Sequence, residues 1–334
     1  MKYCKVKIIA EAGINHNGQL RKALRMVDVA KNSGADAIKF QIFNAEDVVT
    51  PDAKLSNYAI KNMKTKNKQL KVIKKYQLSY HQHLKLMHYC KYKKIEYLCS
   101  AFDNNSLIFL KKNKIKEFKI PSGEITNYPY LKLLGSFNKK IILSTGMSTI
   151  SEIKKAINIL ISGGCKKSNI SLLHCNTDYP TKPSDLNLLA IKKLKKIFKM
   201  KIGLSDHSLG VEASVAAVAL GAKIIEKHFT LSRKMRGPDH IASLEPSELN
   251  NLVFSIRNIE KALGKNQKIV TKSEKKNIKI VRKSIVAKKN IFKGEKFTED
   301  NLTTKRPGDG ISAIKWNKII GKKSKKNYLI NKKI

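Results

Sequence analysis

Eight short apolar runs, each closing on polar residues, constrain this chain more than any other feature. They read VKIIAEAG, ADAIKFQ, IEYLCSAF, EFKIPSG, KIILSTGM, ISLLHCN, KIGLSDHS and AKIIEKHFT. Most are separated by stretches of helical periodicity, such as RKALRMVDVAKNSG and SEIKKAINILISGG, whose glycines mark helix ends before the next strand. Strand and helix alternating eight times predict a (β/α)8 TIM barrel, α/β in class; pattern alone also admits an open doubly wound sheet. The interval from 42 to 94 is longer than one helix needs. Its segment DVVTPDAKLSNYAIKNMKTKNKQ is expected to form a loop beside the barrel mouth.

At 334 residues, 42% of them hydrophobic, the chain can bury a barrel-sized core and a smaller second one. It contains no apolar run of about 18 residues, and its start, MKYCKVKIIAEAG, lacks a signal-peptide core, so a cytoplasmic protein without membrane insertion is expected. Cys4, Cys90, Cys99, Cys165 and Cys175 are scattered and odd in number, which speaks against a disulfide framework or a zinc ribbon. The net charge of +43 raises a nucleic-acid or anionic-surface partner. Its makeup argues against a specific one: 61 Lys stand against 7 Arg, and they occur throughout the expected helices instead of forming one stripe.

The polar residues fall at the C-terminal ends of all eight runs, which is the catalytic face of a barrel. Residues two apart on a strand share a face, so Lys39/Gln41, His174/Asn176, Ser205/His207 and Glu226/His228 should each point one way, toward the solvated mouth. A lone histidine after an apolar run is ordinarily structural. His207 and His228, however, close neighbouring runs and together suit one divalent ion in an open site completed by water and substrate oxygen. Borderline ions such as Mn²⁺ suit such a mixed nitrogen and oxygen sphere. His83, His88 and His240 are expected on the surface. Lys39 and Lys119, with hydroxyls from Ser100, Ser122, Ser144 and Ser205, describe a pocket for a small dianion. Glu11 and Glu124 serve either as acid/base groups or as partners of those lysines. The loop GINHNG has too few glycines for a nucleotide fingerprint.

Taken together, AEAGINHNG, AIKFQIF, FKIPSGEITNYPYL, ILSTGMSTI, LLHCNTDYPT, GLSDHSLG, IEKHFTL, GPDHIASLEP and RKSIVAKKNIFKGEKFTEDNLTTKRPGDGIS resemble the bacterial sialic acid synthases nearly end to end. The resemblance implies a barrel over 1–264, a linker over 265–281 (GKNQKIVTKSEKKN lies within its reach) and an antifreeze-like domain of β-clip type over 282–334. It implies an N-acetylneuraminate synthase, a transferase that condenses phosphoenolpyruvate with N-acetylmannosamine. A synthase of legionaminic or another nonulosonic acid, using a 2,4-diacetamido-trideoxy hexose, is the alternative, and a basic binding protein without activity is the distant one. Carried over by position, His207 and His228 would hold the metal, Mn²⁺ by first choice with Mg²⁺ or Co²⁺ as alternatives. Lys39, Ser100, Lys119, Ser122, Ser144, Asn176 and Ser205 would hold phosphoenolpyruvate, and Glu11, Tyr179 and Asp239 would surround the sugar and the reacting centre. Arg306 would reach the sugar from the partner subunit of a domain-swapped homodimer. The chain departs from the family in SAF at 100–102 and in PGDG, where Asp309 adds a negative charge near Arg306.

Overall fold

The computed structural model describes residues 5–65 and 67–334, so Cys4 lies outside the described residues. The chain divides into two compact units, Met1–Gly264 and Lys265–Ile334.

The first unit is a closed barrel of eight parallel strands in sequence order. These are β1 (Lys7–Gly13), β2 (Ala37–Ile42), β3 (Glu96–Ala101), β4 (Glu117–Ile120), β5 (Lys140–Ser144), β6 (Ile170–Cys175), β7 (Lys201–Asp206) and β8 (Ile224–His228), with β8 paired back onto β1. All eight apolar runs are strands, and closure of the sheet excludes the open alternative. Helices cover the outside because their apolar residues recur at three- and four-residue spacing: Ala23, Met26, Val27 and Ala30 are the buried face of the helix Leu20–Asn32. Capping boxes at Ser79/Gln82 and Thr149/Glu152 fix where two of these helices begin.

Inside the barrel, Ile9, Ala37, Leu98, Ile142, Leu173 and Ile224 form a separate apolar cluster, one residue from each of six strands. Two residues further along these strands stand Glu11, Lys39, Ser100, Ser144, Cys175 and Glu226. Because side chains alternate with a period of two, these point inward again, about 6–7 Å nearer the C-terminal mouth. The barrel is thus plugged by hydrocarbon below and lined by polar groups above.

The interval between β2 and β3 is not a plain loop. It carries the short helices Ala45–Val48, Asn57–Met63 and Gln69–Ile73 before the longer Tyr80–Lys93. The expected surface histidines also need correction, since His83 and His240 are fully buried and only His88 is exposed. His83 shares the inner face of its helix with Leu86 and Cys90, and its Nδ1 lies 2.8 Å from the Tyr97 hydroxyl. No helix among the described residues is long and apolar enough to cross a membrane.

In the second unit, β9 (Ser284–Ala287) and β10 (Leu302–Lys305) pair antiparallel, and Ile285, Ala287, Ile291, Phe297 and Leu302 form its core. The stretch 265–281, expected as a linker, contains the helix Lys272–Val281, begun by a capping box between Thr271 and Glu274.

Candidate active site at the barrel mouth

A cavity of about 590 Å³ opens at the C-terminal ends of the strands. Glu11, Lys39, Ser100, Lys119, Ser122, Ser144, Tyr179, Ser205, His207, His228 and Asp239 all line it, so the barrel brings together eleven of the residues singled out in the sequence. Glu124 and Asn176 do not line it: Glu124 accepts from Asn127 Nδ2 at 2.6 Å and pairs with neither lysine. Asn176 lies just past β6, whose inward set is Ser171, Leu173 and Cys175, so the expected pair His174/Asn176 faces away from the barrel interior. His174 Nε2 accordingly meets the Leu186 carbonyl at 2.8 Å. What Asn176 contributes to the site is its backbone carbonyl, 2.5 Å from His207 Nδ1. Arg306 belongs to the second unit, where its Nε donates to the Val281 carbonyl at 2.9 Å.

The charged floor is a four-membered network. Lys39 Nζ lies 2.9 Å from Glu11 and 3.8 Å from Glu226, while Lys119 Nζ lies 3.7 Å from Glu226. Lys39 also donates to Ser100 Oγ at 3.0 Å and Lys119 to Ser144 Oγ at 2.7 Å. All four charged side chains are at most 4% exposed. Burial pushes the Glu11 carboxyl up to about 7, opposed by Lys39 and assisted by Glu226. For Glu226 burial also acts upward, but Lys119, Lys39 and the Ser205 hydroxyl outweigh it and hold the carboxylate low. Burial lowers Lys119, whereas Lys39 is held above its ordinary value because Glu11 and Glu226 overcome the same burial. Glu226 was visible in the sequence only as a residue sharing His228's face; its place between the two lysines came from closure of the barrel.

The two imidazoles meet edge to face, with ring centroids 5.4 Å apart and planes at 64°, and Tyr179 stacks on His207 at 4.1 Å. Burial drives His207 down to about 4 and His228 well below its ordinary value, so both rings are neutral near pH 7. With Nδ1 donating to Asn176, His207 carries its lone pair on Nε2. The Ser205 hydroxyl is 3.2 Å from that nitrogen, but its one proton is directed to Glu226 Oε1 at 2.9 Å, leaving the lone pair free. His228 Nδ1 is buried without a hydrogen-bond partner. Two neutral imidazoles with unused lone pairs fit a divalent ion. No group of three or more His, Cys, Asp or Glu side chains suited to a metal occurs among the described residues, so such a site would be open.

Close packing confines the backbone at Gly146 against Ser122 and Thr177, which line the cavity. The Gly146 amide donates to Ser122 Oγ at 3.0 Å, and a Cβ at 146 would fall 2.8 Å from that oxygen and 2.7 Å from Thr177. The interval after β2 lines the same cavity with an apolar wall that includes Val48, Leu55, Met63, Val72, Ile73 and Tyr76, together with Ser56, Tyr58 and Gln69.

A closed parallel barrel with buried ammonium groups, paired carboxylates and metal-ready histidines at its mouth defines an enzyme, and known proteins narrow the class to the nonulosonic acid synthases. The chain belongs to the NeuB family, whose model matches residues 26–268, and a SAF domain model matches residues 282–328. It is 51% identical over 324 residues to the N,N'-diacetyllegionaminic acid synthase of Campylobacter jejuni, covering 97% of each chain. With that of Legionella pneumophila it shares 39% over 322 residues, covering 96% of this chain and 90% of the other. Among solved structures, the N-acetylneuraminic acid synthetase of Leptospira borgpetersenii in complex with citrate superposes with a TM-score of 0.72 at 36% identity, covering 82% and 90% of the two chains. The antifreeze-like domain expected over 282–334 corresponds to the SAF match.

Proposed function

We propose that the protein condenses phosphoenolpyruvate with a 2,4-diacetamido-2,4,6-trideoxy hexose to form a legionaminic acid-type product, releasing phosphate. This reverses the order of the two sugars given by the sequence, which placed N-acetylmannosamine first. One observation carries the reading: the cavity joins a buried floor of two lysines, their two glutamate partners and hydroxyls to an apolar wall. The floor suits the phosphate and carboxylate of phosphoenolpyruvate. The wall suits a sugar bearing a methyl group and a second acetamido group where N-acetylmannosamine bears hydroxyls, since an unpaired hydroxyl against hydrocarbon is penalised. Similarity to two diacetyllegionaminic acid synthases supports the same choice.

In this account Lys39 and Lys119, with Ser100, Ser122, Ser144 and Ser205, hold the anionic groups, which fixes the methylene carbon of phosphoenolpyruvate toward the sugar aldehyde. A divalent ion on His207 and His228, Mn²⁺ by first choice, supplies Lewis-acid polarisation of the aldehyde oxygen when bound. The methylene carbon attacks the aldehyde carbon, and a carbon–carbon bond forms. Water adds at the enol carbon, and the carbon–oxygen bond to phosphate then breaks. Glu11, raised toward neutrality and ion-paired to Lys39, is placed to exchange a proton near that carbon. Tyr179 and Asp239 bound the sugar side, with Asn176 orienting His207 through its carbonyl. Arg306 is assigned to the sugar of the partner subunit in a homodimer with exchanged small domains, and cytoplasmic residence agrees with four buried, free cysteines.

The test is kcat/KM for the two sugars at fixed phosphoenolpyruvate and Mn²⁺. A preference of about ten- to a hundredfold for the diacetamido sugar is expected, the discrimination that apolar and hydroxyl contacts usually give. Equal values or a preference for N-acetylmannosamine return the N-acetylneuraminate reading, which the Leptospira structure favours.

A further inference from the structure

The inward side of β7 and β8 presents Ser205, His207, Glu226 and His228, and the intervening residues, Asp206 and Lys227, point outward beneath the helix Glu212–Ala219. There an Asp and a Lys meet out of water. They are register partners on adjacent strands, Lys227 Nζ lies 2.9 Å from Asp206 Oδ2, and the side chains are 1% and 0% exposed.

The surrounding bonds tie this pair to Ser208, the residue after His207, and to the covering helix. Asp206 Oδ1 accepts from the Ser208 amide at 2.9 Å and from the Ser208 hydroxyl at 2.6 Å. Ser214, from the covering helix, donates to Asp206 Oδ2 at 2.6 Å, and Lys227 Nζ donates to the Ser208 carbonyl at 2.6 Å. His207 is therefore pinned by both of its chain neighbours. His228 depends on Lys227 more heavily, because its own Nδ1 has no hydrogen-bond partner to set the ring.

A buried ion pair is a poor source of stability, since well-packed apolar residues of similar volume often do as well or better. Its use here is positional. We propose that Asp206 and Lys227 are positioning residues that lock the mouth ends of β7 and β8 in register and thereby hold the two imidazoles at the spacing a divalent ion needs. This rests on the reading of His207 and His228 as metal donors. Partners behind a donor set typically change metal affinity 10- to 100-fold when altered.

The experiment is Mn²⁺ titration of the full-length protein, followed by the electron paramagnetic resonance of free and bound ion. Wild type, the near-isosteric double variant Asp206→Asn/Lys227→Met, Ser214→Ala and His207→Ala are compared, with thermal midpoints recorded alongside. The double variant should keep its fold yet bind Mn²⁺ about 10- to 100-fold more weakly, with a changed spectrum of the bound ion. Ser214→Ala, which removes one donor and leaves the ion pair, should weaken binding in the same direction and carries the test if the double variant does not fold. Wild-type affinity and spectrum in a folded variant would overturn the positioning role while leaving the metal reading intact. If wild type binds Mn²⁺ no better than His207→Ala, the metal reading fails and the positioning role with it.

Discussion

At the scale of single residues, the most consequential group is Glu11. Its carboxyl is raised to about 7 because it is buried and because Glu226 shares the network, so below that pH the floor carries one more positive charge than above it. The sign follows directly. A phosphoenolpyruvate anion binds better to the protonated form, and KM for phosphoenolpyruvate should rise as pH increases through about 7. Glu11→Gln, a permanent mimic of the protonated group, should flatten that rise while lowering kcat if Glu11 exchanges a proton. A KM profile that keeps its inflection in the variant would assign the titration to another group. Glu226, lowered by Lys119 and Lys39, stays ionised across this range and acts as their fixed counter-charge.

At the scale of elements, the barrel was legible because two-residue alternation writes its interior into the sequence. In β1, β2, β3, β5 and β8 the apolar plug residue is followed two positions later by a polar one, as in Ile9 and Glu11 or Ile224 and Glu226. The plug supports the floor mechanically. Ile142→Ala, at a fully buried position, should cost about 2–5 kcal/mol of stability through the hole it leaves. Because Ile142 does not line the cavity, KM for phosphoenolpyruvate should stay near wild type; denaturant unfolding beside steady-state kinetics checks both. Parity misled in β6, where Leu172 and Leu173 are both apolar and both buried, so the letters alone do not say whether His174 or Cys175 faces inward. The short helices after β2 were missed because none is long enough to show a periodicity. Asp206 and Lys227 were illegible for a different reason: charged letters are expected to face water, and only the packing of a helix over two strand ends shows that these face each other.

At the scale of the whole molecule, the barrel unit holds histidines that fold in the neutral state. Burial lowers His16 to about 4, His83 to about 3 and His240 to about 4. Each contributes stability that is fully present above the ordinary value of about 6.5 and is lost as pH falls from there toward the folded value. His16 and His83 should therefore remain uncharged at pH 5.5 in the folded protein, and their charged imidazole signals should appear together with the loss of far-ultraviolet circular dichroism on acidification. Charged signals ahead of unfolding would show the burial to be incomplete. Among the described residues Lys39, Lys119 and Lys227 are the buried lysines, so most of the +43 charge lies outside this chemistry. Under the proposed function, a carbon–carbon bond forms and the carbon–oxygen bond to phosphate breaks at the mouth of the barrel. The most direct test supplies phosphoenolpyruvate labelled with ¹⁸O at its bridging oxygen, together with Mn²⁺ and the diacetamido sugar, and weighs the products. Labelled phosphate with an equal amount of a nine-carbon acid is the predicted result. Unlabelled phosphate, or phosphate released without the sugar, would contradict carbon–oxygen cleavage coupled to carbon–carbon bond formation.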